Sequence, residues 1–422
     1  MSQLLALALS LAVLSDISAT IINDNIDNND SAQNDCHSGK LYSIAQRSAA
    51  QNAYLKRLWK EDSSLDFWRF SKSWDQDVEV LVPNEVDTEF GLGLRAHGIE
   101  YRSKNVSSCE RLEQIDRAIN NPLDVTSKFL NVDEINGFID SIARKYPKLV
   151  ELSTVGRSFD NRSLRTVTIR NGEKPSKEAI LIDAGMHARE WIAPATALYS
   201  IKRLVENPDL LLNFTWIFVP LANPDGYQHS LKWNRFWRKT RRRGFICFGT
   251  DPNRNFGFHW GESGSSINEC SFTYQGPKPF SDSETQVIRD LMHSRNHSIK
   301  FYLSLHSYGR MLLYPWGYNR DLHKNWKQLD AVARAGYQAM TKAYNVQYRV
   351  GGSGKILYKA AGSSDDYAIG MANIPISMTM ELPPSSGGFH PPQAKIESYV
   401  KEGFTGIHAM AVKVRELKLP GK

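Results

Sequence analysis

A histidine followed three residues later by a glutamate can supply two ligands to one metal ion. This sequence contains that spacing three times, at His97–Glu100, His187–Glu190 and His259–Glu262. Because the pattern recurs, the spacing alone does not identify a site. Only the second pair directly follows a strongly apolar run, "AILIDAG", which predicts a buried strand. Ligands of an α/β sheet bind at the carboxyl ends of its strands, so the sequence favours His187 and Glu190.

Two further polar residues stand at the ends of predicted strands. The run "IKFYLSLH" ends at His306, and "ISMTME" ends at Glu381. Two histidines and a carboxylate suit Zn²⁺ with a fourth position open to water, which is the arrangement of a catalytic site. The water bound there has a pKa of about 7, and a separate carboxylate such as Glu381 can act as general base. The alternative for each residue is an ordinary hydrogen-bonded polar group at a strand end.

A large sheet is needed to bring these residues together. The chain has 422 residues, 41% of them hydrophobic, which is enough for a large core and more than one domain. From about residue 131, apolar strands alternate with helices, which predicts an α/β sheet covered on both faces. The first of these helices opens with Asn131 and Glu134, the pattern of a capping box. Residues 41–104 predict instead a small α+β domain, which is followed by a polar linker.

The first 19 residues have the pattern of a signal peptide. An apolar stretch too short to cross a bilayer ends in small residues, and we expect cleavage after Ala19. No later stretch is long and apolar enough for a membrane span, so the protein is expected to be secreted. N-x-S/T sequons agree with export. They begin at Asn29, Asn105, Asn161, Asn213 and Asn296.

Charge and cysteine usage narrow the possible partners. The formal charge is +7, with one dense basic run, "RKTRRR" at 238–243. Because no nucleic-acid-binding module accompanies that run, no nucleic-acid partner is predicted. Four cysteines permit three pairings, and proximity in the sequence favours Cys36–Cys109 and Cys247–Cys270. None lies in C-x-x-C, which argues against a zinc site made of cysteines.

Six motifs carry a family resemblance. They are "GMHAREWI", "WNRFWRKTR", "DPNRNF", "LSLHSYG", "YKAAGSSDD" and "TMEL". In this order they resemble the zinc metallocarboxypeptidases of the pancreatic A/B type, over nearly the whole chain after the signal peptide. The resemblance implies an α/β fold with a mixed eight-stranded sheet and helices on both faces. It also implies an activation propeptide over 20–117, an open antiparallel sandwich over about 41–104 that caps the active site, and a catalytic domain over 118–422.

The resemblance assigns the reaction to particular residues. It implies one zinc ion per chain, held by His187, Glu190 and His306. Glu381 matches the general base, which takes a proton from the attacking water and passes it to the leaving amine. Arg238 matches the arginine that polarises the scissile carbonyl and stabilises its oxyanion, a contribution usually worth a few kcal/mol in the transition state.

The resemblance also implies supporting and substrate-binding groups. Asp251 matches a residue that orients a ligand histidine. The Cys247–Cys270 disulfide matches that of the family, which leaves Cys36–Cys109 within the propeptide. A terminal carboxylate is a natural bidentate partner for arginine. The residues that match substrate-binding positions are Arg189, Asn253, Arg254, Ser307, Tyr308 and Tyr358.

Asp365 is the residue that predicts specificity. Counted from Tyr358, it matches the pocket aspartate of B-type enzymes, whereas Asp366 matches an aspartate that both types share. The chain is therefore expected to release C-terminal Lys or Arg, pairing that cation with a carboxylate in the pocket. The alternatives are A-type release of aromatic or aliphatic residues, with Asp365 turned to solvent or held by Lys359. An inactive secreted binding protein is disfavoured because no ligand or base residue is missing.

The start of the mature domain predicts how the protein is activated. Matching "FLNVDEI" to the family places the junction at Arg117–Ala118, so a trypsin-like protease is the expected activator. Arg111 is the nearest alternative cleavage site. The expected substrates are the C-termini of peptides or proteins, and the expected oligomeric state is a monomer.

Overall fold

The computed structural model describes residues 38–62, 64–70, 77–107, 124–172, 176–295, 297–385 and 388–419. All of these residues belong to one compact unit. The predicted signal peptide, the predicted Cys36–Cys109 disulfide and the predicted cleavage site after Arg117 lie outside the described residues. Within the described ranges, none of the helices has the length and apolar character needed to cross a membrane.

A four-stranded antiparallel sheet with two helices forms the N-terminal part of the described chain. Its elements are β1 Ser38–Ile44, α1 Ala49–Glu61, β2 Asp66–Arg69, β3 Val78–Pro83, α2 Asn84–Ala96 and β4 Tyr101–Ser107. The strand order is β2-β3-β1-β4, and every pair is antiparallel. Side chains along β3 alternate between buried and partly exposed, as in a sheet with one covered face. A core that includes Leu55, Val80 and Leu94 joins the sheet to its helices.

A mixed eight-stranded sheet forms the larger part. Its strands are β5 Val150–Arg157, β6 Ser163–Ile169, β7 Ala179–Ala184, β8 Thr215–Val219, β9 Ile299–Ser307, β10 Met311–Tyr314, β11 Arg349–Gly352 and β12 Ile376–Leu382. The order across the sheet is β11-β10-β12-β9-β7-β8-β6-β5. The central strands β12, β9, β7 and β8 run parallel, so their carboxyl ends meet at one edge.

Helices cover both faces of this sheet. They are α3 Val132–Lys145, α4 Ile192–Glu206, α5 Pro224–Lys232, α6 Ser283–Ser294, α7 Trp326–Tyr344, α8 Ser353–Ile356, α9 Ser364–Gly370 and α10 Ile396–Glu416. One face packs into a core with α3, α4, α7 and α10, and the other into a smaller core with α6 and α9. Every residue of β7, β8 and β9 is consequently buried.

The predicted fold class is confirmed by these two sheets and their helices. The capping box at the start of α3 is also present. The Asn131 side chain accepts a hydrogen bond from the Glu134 amide, and the Glu134 carboxylate accepts one from the Asn131 amide, each at 2.9 Å. The sequence pattern does not predict β2, because four residues are too few for an alternating pattern to stand out.

Candidate metal centre and substrate cavity

The carboxyl ends of the central strands bring four of the predicted residues together. Strands β9 and β12 are paired so that His306 and Glu381 stand side by side. The chain leaves β7 through Gly185, at a φ of +69°, and His187 and Glu190 follow this turn. A Cβ atom at position 185 would lie 2.8 Å from its nearest neighbour, so only glycine fits the turn that positions this pair.

Donor atoms of His187, Glu190 and His306 converge. The His187 Nδ1 atom lies 2.8 Å from Glu190 Oε1. The His306 Nδ1 atom lies 3.0 Å from both Glu190 Oε2 and His187 Nδ1. The Ser307 amide also donates to Glu190 Oε2, at 3.1 Å. Among the described residues, this is the one cluster of three or more histidines, cysteines or carboxylates arranged to hold a metal ion.

The far side of each imidazole is held by a second polar group. His187 Nε2 lies 3.0 Å from Asp251 Oδ1. His306 Nε2 lies 3.0 Å from the Ser304 hydroxyl. Such outer contacts fix the tautomer and the orientation of metal-binding histidines. The donor set therefore fits a catalytic zinc site, with two oriented imidazoles and one carboxylate.

Burial and mutual charge shift the pKa values of this cluster. Burial alone would raise the pKa of Glu190, but the His187 and His306 imidazoles hold it well below its ordinary value. Burial alone would lower the pKa of His306, but the Glu190 charge raises it to about 9. Burial and the Glu190 charge raise the pKa of Glu381 to about 8. A carboxyl with a pKa near neutral is suited to proton transfer.

Arg238 lies beside the cluster and is fixed by Asp251. Its Nε and Nη2 atoms donate to Asp251 Oδ2 at 3.0 and 2.9 Å, and Nη1 lies 3.9 Å from Glu190 Oε1. Burial alone would raise the pKa of Asp251, but the charges of Arg238 and His187 hold it well below its ordinary value. The guanidinium is therefore a fixed positive charge next to the metal-binding cluster.

A disulfide braces the loop that follows Arg238. Cys247 and Cys270 are bonded, with their Cα atoms 5.2 Å apart, which is the pairing that the sequence favoured. The Glu269 carboxylate accepts hydrogen bonds from three successive amides, those of residues 245–247. The loop is thus tied at its tip by both covalent and hydrogen bonds.

A cavity of about 820 Å³, counting the space at its mouth, opens beside the cluster. Two of its residues are held by backbone contacts. The Asn253 Oδ1 atom accepts from the Ser364 amide at 2.9 Å, and Arg254 Nε donates to the Gly264 carbonyl at 2.8 Å. The predicted substrate-binding residues in its wall are Asn253, Arg254, Ser307, Tyr308, Tyr358 and Asp365.

Asp365 is buried in this wall, with 3% of its surface exposed. Its side-chain oxygens accept from the Thr379 hydroxyl at 3.1 Å and from the Asp366 amide at 2.9 Å. It is therefore not turned to solvent, and Lys359 is exposed and not among its hydrogen-bond partners. Asp366 has a structural role, because its carboxylate accepts hydrogen bonds from the backbone amides of residues 317 and 318.

Acidic residues of the small domain engage two of the predicted substrate-binding groups. Asp66, the first residue of β2, accepts a hydrogen bond from the Arg189 guanidinium, and both side chains are buried. Glu79 on β3 accepts one from the Tyr308 hydroxyl. Sequence analysis did not identify either acid. The partners are 123 and 229 residues apart in the chain, so no local pattern reports them.

Aromatic residues of the small domain complete this contact. Trp68 on β2 packs against Phe236 and Phe389, with ring centroids 4.8 and 5.1 Å apart. Trp59 on α1 lies 5.0 Å from Tyr358. Residues 68–70 also line the cavity itself. The small domain therefore covers the cavity that the predicted site residues line.

The residues of the other two histidine–glutamate spacings make ordinary polar contacts, and Glu100 pairs with Arg47. His97 Nδ1 lies 2.9 Å from the Gly93 carbonyl of its own helix. His259 Nδ1 lies 2.7 Å from Glu262 Oε1, and the Glu262 side chain is 56% exposed. Neither pair approaches a third metal-binding side chain among the described residues.

Comparisons with known proteins agree with this geometry. The family profile described as zinc carboxypeptidase matches residues 135–406, and the profile described as carboxypeptidase activation peptide matches residues 42–105. Carboxypeptidase B of Astacus astacus is 39% identical over 70% of this chain and 99% of that protein. Zinc carboxypeptidase A 1 of Drosophila melanogaster is 35% identical over 90% of this chain and 92% of that protein. The crystal structure of carboxypeptidase A from Helicoverpa armigera superposes with a TM-score of 0.83 at 31% identity, covering 90% of this chain and 98% of that one.

Proposed function

The chain belongs to the zinc carboxypeptidase family, and we propose that this zymogen, once its activation peptide is cleaved, releases lysine and arginine from the C-termini of peptides and proteins. The observation that carries the specificity is Asp365. It is a buried carboxylate in the cavity wall, and its side-chain partners Ser353 and Thr379 are uncharged. A buried charge without a charged partner is unfavourable. A cationic substrate side chain would provide the missing partner.

His187, Glu190 and His306 are the proposed zinc ligands. Their donor set fits the metal, because two imidazole Nδ1 atoms and one carboxylate converge within 4.8 Å. The low pKa of Glu190 keeps that carboxylate ionised, as a ligand must be. Zinc bound there supplies a water molecule of lowered pKa and polarises the scissile carbonyl.

Glu381 is the proposed general base. It lines the cavity beside His306, its register partner on β9, and a carboxylate positioned there is suited to act as a general base. In this role it accepts a proton from the attacking water and returns it to the leaving amine. Arg238, which Asp251 holds rigidly, stabilises the oxyanion that develops on the scissile carbonyl.

Recognition of a chain end requires a group that binds one terminal carboxylate. Asn253, Arg254 and Tyr358 lie together in the cavity wall and supply amide, guanidinium and phenol groups. The Arg254 Nη1 atom donates to the Asn253 carbonyl at 2.7 Å, which fixes the plane of the guanidinium. A planar guanidinium is well suited to bidentate binding of a carboxylate. We assign the terminal carboxylate of the substrate to these three residues.

We propose further that the protein is secreted as the zymogen. In this proposal residues 1–19 are removed on export, and a trypsin-like protease cuts after Arg117 to release residues 118–422. Two observations support it. In the uncut chain, acidic residues of the small domain accept hydrogen bonds from Arg189 and Tyr308, two of the predicted substrate-binding residues. The sequon asparagines at positions 105, 161 and 213 are exposed.

The specificity is tested with peptides that differ only in their last residue: Arg, Lys, Phe or Leu. The trypsin-cut, zinc-loaded protein should favour Arg and Lys in kcat/KM by at least about 100-fold. An uncharged side chain would leave Asp365 buried without a charged partner, at a cost of about 3–5 kcal/mol. A preference for Phe or Leu would overturn the basic specificity and leave the family assignment intact.

A further inference from the structure

A fully buried carboxylate stands in the otherwise apolar strand β7. Asp183 is 0% exposed, so its hydrogen-bond partners decide whether the position is tolerable. Ser304 on β9 is its register partner, and the Ser304 hydroxyl donates to Asp183 Oδ1 at 2.9 Å. The Tyr302 hydroxyl donates to the other oxygen, Oδ2. Both carboxylate oxygens therefore act as acceptors.

The single proton of the Ser304 hydroxyl determines what His306 can do. A hydroxyl has one donor hydrogen, and Ser304 uses it toward Asp183. Toward His306 Nε2, 3.0 Å away, Ser304 can therefore only accept. Nε2 must then carry a proton, which leaves Nδ1 of the neutral ring with a free lone pair. Nδ1 is the atom that approaches Glu190 and His187.

From this arrangement we infer that Asp183 is a positioning residue that acts through Ser304 to fix the tautomer and orientation of His306. Asp251 does the same for His187 by direct contact. The inference rests on the proposed role of His306 as a zinc ligand. Asp183 does not line the substrate cavity. The hydrogen-bonded connection from Asp183 to the ligand runs through the Ser304 hydroxyl.

The two hydroxyls on Asp183 allow a matched comparison. Ser304→Ala breaks the connection to His306 and leaves Asp183 held by Tyr302. Tyr302→Phe removes the other hydrogen bond and leaves the connection intact, so it is the control for a simple loss of strand cohesion. Asp183→Ala removes the acceptor itself, which frees the Ser304 proton to turn toward His306.

The experiment measures the zinc dissociation constant of the full-length chain by competition with a chelator of known affinity. Ser304→Ala and Asp183→Ala should each weaken zinc binding by about 10- to 100-fold, as is typical for the outer partner of a metal ligand. The double variant should bind zinc no more weakly than the single variant with the lower zinc affinity, because both changes break the same connection. Tyr302→Phe should stay within about twofold of wild type, because it leaves the contact between Ser304 and His306 in place.

The outcomes are distinguishable. Losses that multiply in the double variant, or an equal loss in Tyr302→Phe, would reduce Asp183 to a structural role and overturn the inference. If Asp183→Ala does not fold, Ser304→Ala still tests the inference. Unchanged zinc affinity in Ser304→Ala would overturn the inference, and the expected weakening would support it. Full zinc affinity in His306→Ala would instead overturn the ligand assignment under the proposed function.

Discussion

Replacing Asp365 by asparagine removes the carboxylate of the proposed specificity pocket with little change in shape. The asparagine side chain has the same size, and its oxygen can still accept from the Thr379 hydroxyl or the Asp366 amide. What is lost is the negative charge that would face a substrate guanidinium or ammonium. Asp365→Asn should therefore lower kcat/KM for peptides ending in Arg and Lys and spare those ending in Phe and Leu.

The magnitude follows from the burial of the carboxylate. Asp365 is 3% exposed, so water screens little of its attraction for a cation in the cavity. Removing one partner of a buried ion pair costs about 3–5 kcal/mol. At about 1.4 kcal/mol for each factor of ten, the expected fall in kcat/KM for Arg and Lys is at least about 100-fold.

The assay is steady-state hydrolysis by the trypsin-cut, zinc-loaded protein, with the four peptides compared side by side. Lys359→Gln is the matched control, because it removes the neighbouring exposed charge and should leave the specificity unchanged. Asp366→Asn would be a poor control, since that carboxylate holds two backbone amides. An equal fall in kcat/KM for all four peptides would show that Asp365 has a structural role and does not determine specificity. No fall for Arg and Lys would place the substrate cation elsewhere.

Four further outcomes are expected. Glu381→Gln should lower kcat by about 10²–10⁴-fold while metal analysis still finds one zinc per chain; wild-type turnover would exclude it as the base. The full-length chain should be nearly inactive until trypsin cuts after Arg117, and equal activity before and after the cut would contradict a zymogen. Asp66→Ala should raise the activity of the uncut chain, because a buried ion pair of the covered state is broken; unchanged latency would show that this contact is dispensable. Burial raises the pKa of Glu284 to about 8, so the folded state retains a proton that the unfolded chain loses above about pH 4.3. Stability should therefore fall as the pH rises from about 4.3 to about 8, and Glu284→Gln should flatten the dependence of Tm on pH. An unchanged slope would refute the raised pKa of Glu284.

The metal-binding edge could be predicted because its signals are local. His306 and Glu381 each end an apolar run, and parallel strands place such ends side by side. The capping box at Asn131 is likewise read from four consecutive residues. These elements depend on neighbours in the sequence, so periodicity and residue type were sufficient to identify the candidates, and the family resemblance then assigned their roles.

The family resemblance implied that the small domain caps the active site, but the contacts that hold it there could not be predicted from local patterns. The strand that carries Asp66 has only four residues, and its partner Arg189 is 123 residues away. Nothing near either residue indicates that they meet. The connection from Asp183 to His306 is an intermediate case. Asp183 is a lone acid in an apolar strand, and Ser304 lies two residues before the proposed ligand on the same strand face. Both were visible in the sequence, but neither indicated its partner.

The Arg189 guanidinium needs polar partners both when the small domain covers the cavity and after that domain has left. This requirement limits how activation can proceed. Arg189 is buried against Asp66, and within the described chain its Nε atom has no hydrogen-bond partner. Cutting the linker alters none of these contacts. It lowers the effective concentration of the small domain from about millimolar, for a short tether, to that of the bulk solution. Activity should therefore follow dissociation of the small domain and not the cut itself. Because the Asp66–Arg189 ion pair is buried and therefore little screened by salt, dilution should shorten the delay between cleavage and full activity, and added salt should change that delay much less.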